Sequence, residues 1–217
     1  MAHVDLPSDG AGDLTGAGTV FRNRAFVYLW SAQTLSQLAS NMVLAGLMAT
    51  VVLATGSNTA NAVLILTFLV PAVAFSAIAG VLVERSDARL IMLASNLLRA
   101  GGIVLFLLVG SNVALILVIN LLVSTVTAFF IPAELTAIPR LVDRRQLMAA
   151  NSTFVLTINA TFAIGFGFLG PLLLTTAGVS AVYVVVAVMF GLAALAIIPL
   201  PVVKPEKRDE ISVQETG

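Results

Sequence analysis

The chain of 217 residues contains no cysteine, which excludes disulfides, thiolate metal sites and thiol catalysis. Its single histidine, His3, lies near the start of the sequence, so no Ser–His pair or metal-binding cluster suggests an intramembrane protease. The sequence also lacks a glycine-rich phosphate loop with its lysine, which argues against ATP hydrolysis. We therefore predict no enzymatic activity, no metal and no cofactor.

Charged residues are scarce as well. They make up 10% of the chain against 59% hydrophobic residues, whereas soluble domains are about 25% charged and about 45–50% apolar. The composition therefore predicts an integral membrane protein. Basic and acidic residues number 11 each, and their zero net charge hides a grouping into a few loops and the two ends.

Six apolar runs are long enough to cross the roughly 30 Å hydrocarbon layer, which takes about 20 helical residues. They cover Phe26 to Thr55, Asn61 to Val83, Leu90 to Val109, Asn112 to Ile131, Met148 to Ala177 and Val179 to Leu200. We therefore predict an all-α polytopic membrane protein with a six-helix bundle over residues 22–201. Residues 1–21 are predicted to be a disordered cytoplasmic tail, and residues 202–217 a cytoplasmic tail or the start of a central linker.

Basic residues precede the first run and follow the second, fourth and sixth, whereas the other turns have none. Those residues are Arg22, Arg24, Arg85, Arg89, Arg140, Arg144, Arg145, Lys204, Lys207 and Arg208. By the positive-inside rule this side faces the cytoplasm. We therefore expect a protein of the plasma or inner membrane with both termini in the cytoplasm.

Four charges occur within six residues of the second hairpin: Glu84, Arg85, Asp87 and Arg89, shortly after Gly80. Glu84 lies at the carboxyl end of the second helix, where the helix dipole disfavours an anion, so it needs a positive partner. Arg85 and Arg89 are local candidates, and the basic residues of the next cytoplasmic hairpin are distant ones. Alternatively, the hairpin is a solvated loop that only fixes topology.

Polar side chains recur at helical spacing within three of the runs. The stripes are Gln33, Gln37 and Asn41 on the first run, Asn120, Ser124 and Thr127 on the fourth, and Thr157 and Thr161 on the fifth. They are candidates to line a substrate cavity. Alternatively, or in addition, they hydrogen-bond one helix to another.

Arg99 is an ionisable residue that lies well inside the third apolar run, and Asn96 lies one turn before it. An intramembrane charge suggests a role in substrate binding or coupling, although Arg can also snorkel or bind Asn96 and backbone carbonyls. Glu134 is placed at a helix end, just beyond the fourth run. The sequence therefore predicts no buried acidic proton carrier.

Proline and glycine mark places where helices bend or touch. Pro71 and Pro171 lie inside runs, where each removes one backbone hydrogen bond and permits a kink. Gly165, Gly167 and Gly170 precede Pro171 and are expected to form a close packing face.

Several of these motifs together resemble the major facilitator superfamily, in particular its enterobactin-exporter and macrolide-efflux branch. The resemblance covers Phe21 to Leu200. It rests on the Gly80–Arg89 hairpin, Pro71, the Asn-Leu-Leu-Arg run at 96–99, the Ile-Pro-Arg-Leu-Val run at 138–142 before Ala150-Asn151-Ser152, and Gly170-Pro171. One departure is Asn96, where that branch usually has Asp, which argues against carrying over a proton-coupling or ion-pairing role.

The resemblance implies that the six helices form the amino-terminal half of a twelve-helix transporter that rocks about a central cavity. The first, fourth and fifth helices would line that cavity, and the Gly80–Arg89 hairpin would act as a latch between access states. The expected activity is efflux, by antiport, of small amphipathic molecules such as drugs or siderophores. The expected partners are the lipid bilayer, a small-molecule substrate and a second six-helix half of the same or another chain, with no nucleic acid.

Three alternatives remain open at this point. The chain could import a small solute, act as a non-transporting membrane interaction protein, or be an inert remnant. The sequence also does not choose among a truncated product, an excised domain and a half-size subunit.

Overall fold

The computed structural model describes residues 19–202, all helices and turns, with no strand in that part of the chain. The predictions for residues 1–18 and 203–217, including Lys204, Lys207 and Arg208, lie outside it. The helices are α1 (Arg24–Thr55), α2 (Asn58–Glu84), α3 (Ala88–Val109), α4 (Val113–Leu141), α5 (Leu147–Ile164) and α6 (Gly170–Ile197), with a 3₁₀ turn at Arg144–Gln146 and a π-helical segment at Gly165–Leu169. The predicted all-α class is confirmed.

Five helical stretches of residues 19–202 are long and apolar enough to cross a membrane. Four are α1 to α4. The fifth is the continuous stretch Arg144–Ile197 of 54 residues, which contains α5, the π-helical segment and α6.

The first four helices are each capped at their amino end by the side chain of a polar residue. Asn23 Oδ1 accepts hydrogen bonds from the backbone N–H groups of Ala25 and Phe26 at the start of α1. Ser57, Asp87 and Asn112 cap α2, α3 and α4 in the same way. Small polar residues at these positions satisfy N–H groups that have no partner within the helix.

The chain just before α1 is packed and not tail-like. Val20 is fully buried in the apolar core, and the Phe21 ring lies edge-on to Phe26 and Trp30, with centroid distances of 5.5 and 5.1 Å. The predicted tail over residues 1–21 is therefore wrong for Val20 and Phe21, because these apolar side chains bury area against α1.

α4 is longer than predicted. The fourth run was expected to end at Ile131, but α4 continues to Leu141 through Pro132 and Pro139. Neighbouring helices can compensate for the hydrogen bond that each proline removes. The placement of Glu134 at a helix end is therefore wrong, since this residue lies within α4 and is buried.

The chain reverses direction within the fifth stretch. Contacts with α1 run in parallel at first, since Thr157 lies beside Trp30 and Gly165 beside Leu38. At Gly178 the backbone is non-helical, with φ 81° and ψ 172°. After it Tyr183 hydrogen-bonds Thr50, near the end of α1. The helix axis therefore turns back at Gly178.

The apolar core forms two clusters along the bundle. One contains Phe26, Met92 and Phe130, and the other contains Ile103 and Phe190 among others. In α3 the buried polar residues Ser95, Asn96 and Arg99 lie between members of the two clusters. A buried polar layer therefore divides the core.

The loops that carry basic residues lie at one end of the bundle. Asn23, before α1, donates a hydrogen bond to the Leu141 carbonyl at the end of α4, with 2.6 Å between the atoms. Arg89, at the start of α3, donates to the carbonyl of Ile198, after α6. The turns at Gly56, Gly110 and Gly178, all with positive φ, join the helices at their other ends.

Candidate functional site

Arg99 is the centre of the buried polar layer. It is 2% exposed, and its Nη1 donates a hydrogen bond to Ser36 Oγ on α1 over 2.8 Å. Ser36 Oγ in turn donates to Asn96 Oδ1 over 2.9 Å. The Arg99 guanidinium also lies 4.3 Å from the centroid of the Phe130 ring and 5.4 Å from that of Phe190, in positions where aromatic faces attract a cation.

Glu134 supplies the negative charge of this layer. It is 4% exposed and attracts Arg99 electrostatically. It lies one turn beyond Phe130 on the same side of α4. Its Oε1 atom, and Nε and Nη2 of Arg99, are buried without a hydrogen-bond partner among the described residues. The two charges therefore compensate each other at a distance and leave hydrogen-bonding capacity unused.

A cavity of about 100 Å³ adjoins Arg99. Its wall is formed by five helices and is mostly apolar. It comprises Ser40, Val43, Phe68, Ala72, Arg99, Ile103, Val123, Ser124, Thr127, Ala128, Ile131 and Phe190. Ser124 Oγ is buried without a hydrogen-bond partner among residues 19–202, so this polar atom is covered by the mostly apolar wall.

The predicted stripe on α1 points inward. Gln33 and Asn41 are buried and Gln37 is half-buried. Gln33 Oε1 and Asn41 Nδ2 have no hydrogen-bond partner in the described part of the chain. This stripe therefore keeps polar atoms that are not used in joining helices.

The predicted stripe on α4 divides between two roles. Asn120 Nδ2 donates to Thr67 Oγ1 on α2 over 2.7 Å and so joins two helices. Ser124 and Thr127 line the Arg99 cavity, where the Thr127 hydroxyl donates to the Val123 carbonyl of its own helix.

The predicted stripe on α5 faces α1. Thr157 Oγ1 accepts a hydrogen bond from Trp30 Nε1 over 2.9 Å, and buried Thr161 donates to the Ile158 carbonyl. The exposed polar side chains of α5 are instead Asn151, Ser152 and Asn159, which line an open groove with Met148, Val155 and Leu156. We call Asn151, Ser152 and Asn159 the amide face of α5.

The glycines before Pro171 do not share one face. An added Cβ would lie 3.0 Å from Leu38 O at Gly165 and 2.9 Å from Ala45 Cβ at Gly170, whereas Gly167 has no atom within 4 Å. The expectation that Gly167 belongs to the close packing face is therefore wrong. The reason is the π-helical hydrogen bond from Gly170 N–H to Gly165 O, since i→i+5 bonding places residues five apart on one side.

Pro71 and Pro171 differ in their setting. Pro71 is buried within α2, which continues on both sides of it. Pro171 is exposed and directly follows the π-helical segment in a helix that continues on both sides of it, so it removes one backbone hydrogen bond there.

The charged hairpin has defined local contacts. Asp87 caps α3 through the Arg89 N–H, and the Arg89 side chain binds the Ile198 carbonyl. Glu84 and Arg85 are exposed, and an added Cβ at Gly80 would meet no atom within 4 Å. No neighbouring helix of the described residues therefore packs closely against Gly80.

The sequence pattern did not indicate three residues of the site, namely Glu134, Ser36 and Phe130. Ser36 carried a signal, because Ser36 and Ser40 lie in register on the first run. Phe130 and Phe190 carried none, since a phenylalanine in an apolar run gives no sign that a cation lies against it. The previous expectation of no buried acidic residue is corrected by Glu134.

The family comparison agrees with this arrangement. The family model described as Major Facilitator Superfamily matches residues 29–216. Neither the search of curated proteins nor the search of solved structures gave a match. Because the model spans nearly the whole chain and the described part is a bundle of long apolar helices, this multi-pass membrane transporter belongs to the Major Facilitator Superfamily.

Proposed function

We propose that the chain is a six-helix half of a secondary transporter that exports small amphipathic molecules by alternating access. A second half, supplied by the same or another polypeptide, would complete the central cavity. The amide face of α5 carries this proposal. The remaining support comes from the turn at Gly178, the basic end of the bundle and the open side of the charged hairpin.

The amide face is exposed on a helix otherwise long and apolar enough to cross a membrane. Asn159 lies about 18 Å from Leu147 along the axis, at 1.5 Å per residue, which is near the middle of a bilayer. Its Nδ2 donates to the Val155 carbonyl, which leaves its Oδ1 available. Polar groups facing lipid are expensive, so such residues usually face a protein interior or a water-filled cavity.

The turn at Gly178 supports the proposal of six crossings. A helix of 54 residues would be roughly 80 Å long, far more than the ~30 Å that one crossing needs. The reversal at Gly178 divides this length into two antiparallel segments. We therefore assign one crossing to each, and four to α1–α4.

The cytoplasmic side is assigned from the charges. Arg22, Arg24, Arg85, Arg144 and Arg145 are exposed, and the helix ends that carry them lie together. By the positive-inside rule, these charges support a cytoplasmic location for this end. Exposed Glu84 and the free space beside Gly80 would leave the hairpin available as a latch against the second half.

Cysteine accessibility tests the amide face directly, because the chain has no cysteine of its own. Asn159→Cys should react with a membrane-impermeant maleimide, since the reactive thiolate needs water. Leu98→Cys is the matched control, because Leu98 is 60% exposed on α3 and would face lipid. Equal labelling of both variants, or none at Asn159→Cys, would contradict an aqueous cavity at α5.

Transport is tested with a fluorescent amphipathic cation in cells that express the full chain. Asn159→Leu should reduce dye efflux at least about tenfold, or 1.4 kcal/mol of transport barrier, at unchanged protein abundance. Ser76→Leu should leave efflux unchanged, because exposed Ser76 hydrogen-bonds only within α2. Dye accumulation instead of efflux would overturn the proposed direction.

The mass of the purified chain in nanodiscs tests the second half. A defined dimer, or a stoichiometric complex with another six-span chain, supports a split transporter. A stable monomer that transports dye on its own would contradict the need for a second half.

A further inference from the structure

We propose that α4 has a second conformation, in which the part beyond Pro132 bends towards α3 and the Glu134 carboxylate binds the Arg99 guanidinium directly. In the conformation described above, the guanidinium donates a hydrogen bond to Ser36 instead. The proposed movement takes place inside the half bundle. It therefore goes beyond the transport proposal, which rests on the exterior of α5.

Three atoms of the buried charge pair are unused in the described conformation. Nε and Nη2 of Arg99 and Oε1 of Glu134 have no hydrogen-bond partner among residues 19–202, and all three are closed to water. A buried polar atom without a partner loses the free energy of its hydration, and the loss is larger for charged groups. Because neither water nor a ligand can reach these atoms, only a rearrangement of the chain can satisfy them.

The unused atoms are complementary to one another. Nε and Nη2 form one edge of the planar guanidinium of Arg99, and such an edge binds the two oxygens of a carboxylate in parallel. Glu134 already attracts Arg99 across the contact between α4 and α3. Both charges are buried before they meet, so direct pairing gains hydrogen bonds without a further cost of desolvation.

Pro132 gives α4 a place to bend. It lies between Phe130 and Glu134 in the helix, where a proline removes one backbone hydrogen bond and permits a kink. The Phe130 ring, before the proline, lies 4.3 Å from the Arg99 guanidinium, whereas Glu134 follows the proline. A change of the bend would therefore move Glu134 relative to Arg99 and leave the first part of α4 in place.

Free space adjoins the proposed bend. A close-packed interior resists the movement of a helix, but the cavity of about 100 Å³ lies along α4 at Thr127, Ala128 and Ile131, directly before Pro132. Arg99 lines the same cavity. The side chains between Arg99 and the bend therefore have room to repack.

The movement would reach the end of the bundle that carries the basic residues. The part of α4 beyond Pro132 ends at Leu141, whose carbonyl accepts a hydrogen bond from Asn23 before α1. A bend towards Arg99 would shift this contact between α4 and α1. The buried charge pair would thus control how closely these two helix ends meet.

Distances between spin labels test the second conformation, because the full chain has no cysteine of its own. Leu90→Cys with Leu135→Cys places labels at exposed positions on α3 and on α4 beyond Pro132. In nanodiscs, double electron–electron resonance should resolve two distance populations for this pair. Leu105→Cys with Leu122→Cys also joins exposed positions of α3 and α4, but before Pro132, and should give one population.

Two prolines of α4 give a matched pair of variants. Pro132→Ala restores the missing N–H at the bend and should leave one population for the Leu90–Leu135 label pair. Pro139→Ala restores an N–H of the same helix beyond Glu134 and should keep both populations. Because neither variant removes a buried charge, this comparison does not depend on an unstable protein.

Two further variants test the groups that bind Arg99. Ser36→Ala removes the acceptor that holds the guanidinium in the described conformation, so the ratio of the second population to the first should rise at least about twofold. Glu134→Gln removes the carboxylate and should abolish the second population.

Three outcomes would overturn the proposal. The first is a single population both in the unmodified chain and in Ser36→Ala. The second is two populations for both label pairs, or an undiminished second population in Pro132→Ala, since either would contradict a bend at Pro132. The third is an undiminished second population in folded Glu134→Gln. None of these results depends on dye efflux, so the transport proposal is tested separately.

Discussion

The buried polar layer around Arg99 and the amide face of α5 place polar atoms within membrane-length helices in opposite ways. The first is enclosed by α1, α3, α4 and α6 and contains a cation and an anion, Arg99 and Glu134. The second is uncharged and open to the exterior of the described chain. Polar side chains are unfavourable in contact with lipid. The helices of this chain shield the buried polar layer from lipid, whereas the amide face needs a cover from outside the described residues.

The difference teaches what each set of residues controls. Residues of the buried layer touch one another across helices, so a change there should alter folding of this chain. Residues of the amide face make few contacts within the chain, so a change there should leave folding intact and affect what the face meets. Stability and transport are therefore expected to separate between the two regions.

The largest expected effect is on the charge pair. Glu134→Gln leaves the Arg99 cation without its counter-charge and should lower the free energy of unfolding by about 3–5 kcal/mol. Arg99→Met combined with Glu134→Gln should cost less than the two single changes added together. Unfolding by sodium dodecyl sulfate in mixed micelles measures all three variants, with Asn159→Leu as the control that should change little. Additive costs would show that the two charges are uncoupled.

A smaller effect is expected where the π-helical segment meets α1. Gly170→Ala would place a Cβ 2.9 Å from Ala45 Cβ and from the Gly165 carbonyl oxygen, so it should destabilise by about 1–3 kcal/mol. Gly167→Ala should be neutral or slightly stabilising, since no atom lies within 4 Å of its added Cβ. The same unfolding assay compares the two. Equal costs would contradict the i→i+5 spacing of the packing face.

The smallest effect is expected on the hydrogen bond between α1 and α5. Thr157→Val removes the acceptor of the Trp30 indole N–H and should cost around 0.6 kcal/mol. Trp30 is the single tryptophan of the chain, so its fluorescence emission should change without interference. Thr161→Val is the control, because that hydroxyl bonds only within α5. An unchanged emission spectrum in Thr157→Val would mean that this contact does not persist in solution.

Much of the architecture could be predicted from hydropathy. The helical class and the first four membrane-length helices follow from apolar runs that are bounded by polar caps and charges. The end of α4 was missed because the apolar run ends at Ile131, which put Glu134 at a helix end. Its placement inside a helix depends on Arg99 and on neighbouring helices, and neither is a property of the local sequence.

The site was harder to predict for a geometric reason. A stripe at four-residue spacing defines one side of a helix but not whether that side meets another helix or the exterior. Thr157 and Thr161 shared a spacing signal with Gln33 and Gln37, but their partners are Trp30 and their own backbone. The π-helical segment also changes the spacing locally, which is why Gly165 and Gly170 are paired and Gly167 is not.

The turn at Gly178 has a consequence for biosynthesis. One non-helical residue separates the segment that follows Leu147 from the segment that ends at Ile197. The nascent chain has no loop at Gly178 that would let the first segment insert into the membrane before the second. Under the proposed two-crossing arrangement, both would enter the bilayer together as a helical hairpin, with Gly178 leading.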